Sequence, residues 1–551
     1  MKGVKIWLII SLLIGLGFVA LTHEETEFER SCTAIIVGKN ASIDGSVMTT
    51  HTCDGWYDPK LWIVPGGMHT PGETVKIYKN RLTDDPLHPP TVVGEIPQVP
   101  VTYTYFHIAY PFLNENQVAI GESTIGGRKE LVNPNGMFYI EELEAIALQR
   151  ARTAREAIQI MGKLAEEYGY ADAGECLTVI DPNEGWVFEI YGPGPFWTPG
   201  CGKPGAVWVA QRVPDDEVFV CANRSRIGEI DLSKPDWFMA SPNIFTLAEE
   251  MGWWKRDSGV PFRVYEVYGP KDSFYNSRRE WRVFDLIAPS RHFDPWAKRY
   301  PFSVKPDRKL SVADLMAINR DHYEGTPFDL TTGLAAGPYN NPNRWPTKNL
   351  PNGANWERAI SMFRCSYSFV AQARSWLPNP IGGVLWFGLH APSTTCYTPL
   401  YCGITSVPQS LQIRDPFKIS RDSAWWAFAF VHNYANLFWN YMIKDIQAVQ
   451  SKFEHEFLAM QPAIEAAAVA MYNTEPNLAI TFLTNYCVDA VNRVVNAWWD
   501  LADTLVSKYH DGYIWADGKR TGIGYPQWWL EAVGFGQTTD PSLYKDLYYD
   551  R

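Results

Sequence analysis

Cys32-Thr33-Ala34-Ile35-Ile36-Val37-Gly38-Lys39-Asn40-Ala41-Ser42-Ile43-Asp44-Gly45-Ser46 passes from an apolar, β-branched run into turn-forming residues. Residues 32–38 read as a strand, 40–45 as a turn and 46–50 as a returning strand, which predicts a β-hairpin beginning at a cysteine. Upstream, Lys2 and Lys5 precede an apolar run over 6–21. That pattern is the basic and hydrophobic part of a signal peptide over 1–23. An uncleaved membrane anchor is the alternative, although the run falls short of the ~20 apolar residues that span a bilayer. Residues 24–31 then form a short, acidic, removable propeptide.

A cut between Ser31 and Cys32 would place two reactive groups on one residue. The thiolate is the form of cysteine that attacks a carbonyl, and a free thiol titrates near ~8.5. An α-amine titrates near ~7.7–8.0 and can take the thiol proton without a separate histidine. The plainer reading of Cys32 is a buried strand cysteine, since free cysteine is among the most buried residue types.

The chain has 551 residues, 46% of them hydrophobic and 14% aromatic, enough to bury a large core. No Gly/Ser tract, acidic block or Pro-rich spacer divides its middle. A formal net charge of -12 excludes the concentrated basic surface of a nucleic-acid binder. The cysteines number nine, at 32, 53, 176, 201, 221, 365, 396, 402 and 487. An odd count in an exported protein predicts one free thiol, with Cys32 the natural one and Cys396 and Cys402 near enough to close a small loop. None of the spacings is a C-x-x-C metal or redox site, so no metal and no cofactor are expected.

Residues 140–168 carry apolar side chains at helical spacing and predict one helix. Strands follow at 176–180, 186–191, 207–211 and 218–222, with Asp181-Pro182-Asn183-Glu184-Gly185 forcing a turn. Residues 320–360 read as a long ordered loop, and 425–457 and 477–509 as long helices. The organisation expected is a catalytic body over 32–415 and a helical extension, 416–551, packed on it.

The opening run, with Asp54-Gly55, resembles the start of the C69 dipeptidases, which belong to the N-terminal-nucleophile (Ntn) hydrolases and are related to choloylglycine hydrolases and penicillin V acylases. The similarity continues through Asn114-Glu115-Asn116-Gln117-Val118-Ala119-Ile120-Gly121-Glu122, through 181–190, through Ala222-Asn223-Arg224-Ser225-Arg226-Ile227-Gly228 and through 363–370. The resemblance implies an α+β fold, a four-layer αββα sandwich with a helical C-terminal extension. It also implies hydrolysis of dipeptides or short peptides through a thioester on Cys32. Carried over by position, Asp54 orients the freed amine, Asn223 donates its side-chain amide to the oxyanion, and Arg279 corresponds to an active-site arginine of the related acylases. Each has a plainer reading: Asp54 as a turn residue before Gly55, Asn223 as a strand-end residue, Arg279 as part of a solvated basic cluster. Many members carry Arg-Asn-Glu-Asp where this chain has His51-Thr52-Cys53-Asp54. The departure removes a fixed cation that His51 replaces only when protonated.

The partners expected are a dipeptide or small amide substrate, no nucleic acid and no membrane once the leader is removed, with self-association left open. Two alternatives stand beside the peptidase reading: a hydrolase of non-peptide amides, and a non-catalytic protein that keeps the fold. A glycosidase built on Glu184 and Glu189 has no supporting motif around either residue.

Overall fold

The computed structural model describes residues 31–345 and 356–534. The signal-peptide reading of 1–23 and nearly all of the propeptide, up to residue 30, lie outside the described residues. The chain is α+β, with two large antiparallel sheets. The first has seven strands in the order Ser303–Val304, Val218–Cys221, Ser31–Val37, Val47–Asp54, Cys365–Ala373, Val384–Leu389 and Thr398–Tyr401. We call Ser31–Val37 β1 and Val47–Asp54 β2. The second has eight strands, with Ala119–Thr124 (β3) and Glu175–Ile180 (β4) near its middle.

The hairpin expected at the start of the sequence is present, and β2 runs to Asp54, beyond the expected 46–50. In its register Cys32 lies opposite Cys53 and Ser31 opposite Asp54. Alternation then sends Cys32, Cys53 and His51 to one face of the sheet, and Ser31, Thr52 and Asp54 to the other. Both strands are buried along their whole length. A strand covered on both faces carries apolar or internally satisfied side chains throughout, which explains its near-continuous Ala-Ile-Ile-Val run.

β1 and β2 pack face to face on β3 and β4. The approach is close at Gly121, where an added Cβ would stand 2.7 Å from the Thr50 carbonyl oxygen of the facing sheet. Helices pack on both sheets. Ala154–Tyr168 packs on the eight-stranded sheet, while Phe274–Ile287 and Val312–Asn319 pack on the seven-stranded one.

Three expectations need correction. The single helix over 140–168 is two helices, Ile140–Arg150 (α1) and Ala154–Tyr168 (α2). Thr153 ends the run by accepting a hydrogen bond from Glu156 N, an N-cap that starts a new helix. Asn114 Nδ2 takes the Leu148 and Ala151 carbonyls, and Asp181 Oδ2 takes Ala154 N, so tertiary partners stabilise the break. We label Phe274–Ile287 α3, the helix that reaches the site described below. The helix expected over 425–457 is likewise two, Ala424–Ala435 and Trp439–Tyr472, whereas the one expected over 477–509 is present as Pro476–Lys508. Asn436, at the first break, is held by Asn341 and Asn343. Finally, all nine cysteines are free, Cys396 and Cys402 included. Cys402 Sγ turns to the Asn379 carbonyl oxygen at 2.9 Å.

Among the described residues no helix is long and apolar enough to cross a membrane.

Candidate active site

Cys32 is the second residue of β1 and fully buried. Its backbone is clasped from two directions. Its nitrogen donates to Asn223 Oδ1 at 3.2 Å, and its carbonyl oxygen accepts from Arg279 Nη1 at 2.8 Å. Arg279 also reaches Thr33 Oγ1 at 3.0 Å and, through Nη2, Asn223 Oδ1 at 2.8 Å. One side-chain oxygen therefore bridges the Cys32 nitrogen and a guanidinium.

Asn223 can do this because it sits just past the strand Val218–Cys221 with φ at 61°, a left-handed conformation that asparagine tolerates better than most residues. Ser123 Oγ, at the end of β3, accepts from its backbone nitrogen at 2.9 Å, and Asn276 Nδ2 on α3 donates to its carbonyl oxygen at 3.0 Å. Its own Nδ2 donates to the Thr124 carbonyl oxygen at 2.9 Å. The residue expected as an oxyanion donor thus faces Cys32 with its acceptor atom, and one of its two N–H groups is occupied by Thr124.

Arg279 stands on α3 and is wholly buried, so the solvated-cluster reading is overturned. Position on the helix separates it from its neighbours: Arg278 turns to Pro295 and Phe328, and Arg282 to Asp321. Burial, and then the charge of neighbouring Arg358, pull the Arg279 guanidinium down to about 10, which leaves it cationic at neutral pH.

Asp54 closes β2 and is fully buried. It forms an ion pair with Arg358 and accepts from Thr52 Oγ1 at 2.9 Å. Arg358 also donates to the Ser31 carbonyl oxygen at 3.2 Å and to Ser31 Oγ. Burial acts to lower Arg358, but Tyr275 and Asp54 outweigh it and hold the group above its ordinary value. The sequence carried no signal for Arg358. It lies outside every strand and becomes a site residue only when the chain returns beside β2. The family's arginine is absent at position 51, yet two other buried guanidinium groups, Arg279 and Arg358, flank the start of β1.

His51 points to the other face, into the space between the sheets, ringed edge-on by Tyr110, Tyr367 and Phe369 at 5.7–5.8 Å between ring centres. Its Nε2 lies 3.4 Å from Glu122 Oε2 on β3. Burial would raise the Glu122 carboxyl, but His51 overcomes it and holds the group below its ordinary value. Burial and the Glu122 charge push neighbouring Glu175 well up. Like charges this close oppose each other's ionisation, so the two acids are pushed in opposite directions. Glu122 was part of the motif read from the sequence but had no role assigned; an acid inside an apolar strand was its only signal. Donor atoms of Cys32, His51 and Cys53 all lie within 4.8 Å of one another, the set among the described residues with the spacing to hold a metal ion.

Burial pushes the Cys32 thiol well up, aided by Cys53, Glu122 and Asp54. Ser31, which precedes it, is buried as well, so the sulfur is enclosed.

Glu184 and Glu189 take no part in this arrangement. Glu184 pairs with Arg155 and Arg212, and Glu189 accepts from Ser225, Arg226 and Ile227.

The model of peptidase family C69 matches residues 31–452, beginning one residue before Cys32. The chain belongs to peptidase family C69. The match ends inside the helix Trp439–Tyr472. Among curated proteins it is 28% identical to a "Probable dipeptidase" of Latilactobacillus sakei, over 72% of this chain and 79% of that protein. It is 28% identical to a "Probable dipeptidase" of Salmonella dublin, over 68% of this chain and 81% of the relative. It is 25% identical to "Dipeptidase A" of Lactobacillus helveticus, over 71% and 80%. Family membership makes the chain a peptidase.

Proposed function

We propose that this C69 peptidase is an exported cysteine-type dipeptidase of the αββα Ntn class, with Cys32, freed by cleavage after Ser31, as its nucleophile. The observation that carries the proposal is the hydrogen bond from the Cys32 nitrogen to Asn223 Oδ1, reinforced by Arg279 on the same oxygen. A backbone amide near the start of a strand needs one acceptor. An acceptor prepositioned by a left-handed turn and three further hydrogen bonds suits a group that will become a charged amine.

Cleavage changes the electrostatics of the residue. In the uncut chain burial disfavours the thiolate. Removing the preceding segment opens Cys32 and adds an α-amine next to its own thiol. The amine takes the thiol proton, and the resulting ammonium stabilises the thiolate. The thiolate attacks the substrate carbonyl, the ammonium returns its proton to the leaving amine, and water then hydrolyses the thioester with the same amine as base. The second N–H of Asn223 Nδ2 supports the developing oxyanion. A prepositioned donor of that kind contributes about 3–4 kcal/mol to the barrier.

The cut itself draws on the opposite face of β1. Arg358 donates to the carbonyl oxygen of the bond to be broken, that of Ser31, where it would polarise the carbonyl for attack by Cys32 Sγ. Asp54 fixes this guanidinium and, after the cut, stands near the new amine as its counter-charge.

The test is dipeptide hydrolysis by the wild-type chain and by Cys32→Ser and Cys32→Ala, with the mature amino terminus read in each. Turnover of a dipeptide panel that disappears in Cys32→Ala supports the reading. Preferred turnover of acyl-amino acids, or undiminished turnover in Cys32→Ala, overturns it.

A further inference from the structure

Cys53 takes no part in the hydrolysis proposed above, yet the hairpin register sets it directly opposite Cys32. His51, two residues earlier on β2, projects to the same face. All three are buried to 1% exposure or less. Two sulfurs and an imidazole nitrogen come together within 4.8 Å. Neither ring nitrogen of His51 has a hydrogen-bond partner, and neither has Glu122 Oε2, which approaches His51 Nε2 at 3.4 Å without the alignment of a hydrogen bond. His51 Nε2 and Glu122 Oε2 stand within ion-pair distance of each other, but His51 Nδ1 has no partner, and a buried polar atom left without one costs about 1–3 kcal/mol. A cation drawing on the imidazole and the two sulfurs beside it would satisfy these groups.

We propose that Cys32, His51 and Cys53 form a binding site for a soft divalent cation such as zinc, with Glu122, beside His51 Nε2, as a neighbouring counter-charge. The donor set argues for the class of ion. Thiolate and imidazole select zinc, cadmium or cobalt over calcium or magnesium, which demand oxygen. Tetrahedral zinc holds sulfur at ~2.3 Å and nitrogen at ~2.0–2.1 Å, so its donors stand roughly 3.5 Å apart. The donors here lie within 4.8 Å of one another, so a bound ion would draw them together by about 1 Å. Binding is not a redox step: the two thiols lose two protons to solvent, the metal gains two thiolates, and no electrons move. The site shares Cys32 Sγ with the hydrolytic machinery and adds Cys53 and His51 from the same face, whereas Asp54 and Arg358 occupy the other one.

Its consequence follows from sharing one atom with the proposed reaction. A metal on Cys32 Sγ removes the nucleophile, so the cation is a reversible inhibitor that chelation releases. This consequence rests on the reading of Cys32 as nucleophile; the binding does not.

The experiment titrates the purified mature chain, reduced and stripped with a chelator, with cobalt and with zinc alone. Expected are one cobalt per chain, thiolate-to-cobalt charge-transfer absorption with tetrahedral visible bands, and zinc inhibition reversed by chelator. Cys53→Ser and His51→Asn each delete one ligand, and either serves if the other fails to fold. Because loss of even an outer partner costs roughly 10–100-fold in metal affinity, each variant should need at least ~10-fold more zinc for half-inhibition. Cys176→Ser, a buried cysteine outside the cluster, should bind like the wild type. Bands present in the wild type and lost in the ligand variants, with turnover unaffected by zinc, would sustain the site and remove the nucleophile reading. Absence of charge-transfer bands, or equal zinc sensitivity in wild type and Cys53→Ser, overturns the site. So does a Cys32–Cys53 disulfide that persists under reduction.

Discussion

The Arg358 guanidinium joins Asp54, at the end of β2, to the carbonyl oxygen of Ser31 in one clasp. The bond after Ser31 is thereby held beside a buried cation, on a strand whose other face carries the Cys32 sulfur. Ser31 and Asp54 are cross-strand partners, so the hairpin register itself sets this geometry.

Removing Arg358 leaves Asp54 as an unpaired buried charge. Arg358→Ala should therefore lose about 3–5 kcal/mol of stability. The double variant Arg358→Ala with Asp54→Ala should lose less than the sum of the two single changes, by a coupling of about 0.5–3 kcal/mol. Urea unfolding of the four chains measures both quantities. In chains that fold, cleavage after Ser31 should be slower without Arg358, followed by intact mass.

Asn223 combines a conformational and a chemical demand. Asn223→Gly keeps the left-handed backbone and removes the amide, so it should fold yet lose turnover by about 10²–10³-fold in kcat. Asn223→Ala adds a conformational penalty of roughly 1–2 kcal/mol. Steady-state kinetics beside thermal unfolding separates the two effects.

The two sheets meet closely at Gly121, where a methyl group has no room against the Thr50 carbonyl oxygen. Gly121→Ala should cost about 1–3 kcal/mol from overpacking. Gly67→Ala, with nothing within 4 Å of the added Cβ, should change stability by no more than about 0.5 kcal/mol. Chemical unfolding midpoints compare them.

Glu280, on α3, pairs with Arg224 and Arg226 in the interior. Burial acts to raise its carboxyl, but the Arg224 and Arg226 charges overcome this and hold it below its ordinary value. A depressed acid binds its proton more weakly folded than unfolded. Its stabilisation is therefore fully present above the unfolded pKa of about 4.3 and is lost as pH falls through the folded one. Wild-type stability should drop on acidification below that point, and the drop should be smaller in Glu280→Gln, read from urea midpoints across the acid range.

The hairpin, the strands around the Pro182 turn and the helix Pro476–Lys508 were legible because alternation, turn chemistry and helical spacing are local. The break between α1 and α2 was not, since it depends on Asn114 and Asp181 arriving from distant strands to take helix-end groups. The site divides the same way. Cys32, Asp54 and Asn223 sit in motifs readable along the chain, and the structure brings the backbone of Cys32 to Asn223 and Arg279. Arg358 has no local mark, and the meeting of Cys53 with His51 and Cys32 needed the register of two paired strands. A rule based on C-x-x-C spacing overlooks donors that β-pairing assembles from opposite strands.

The most direct measurement is the amino-terminal residue of catalytically active protein, read by Edman degradation and intact mass. Active chains should begin at Cys32 with a free amine, and Cys32→Ala chains should retain the upstream segment and hydrolyse no dipeptide. Full activity in chains that still carry Ser31 would contradict the account.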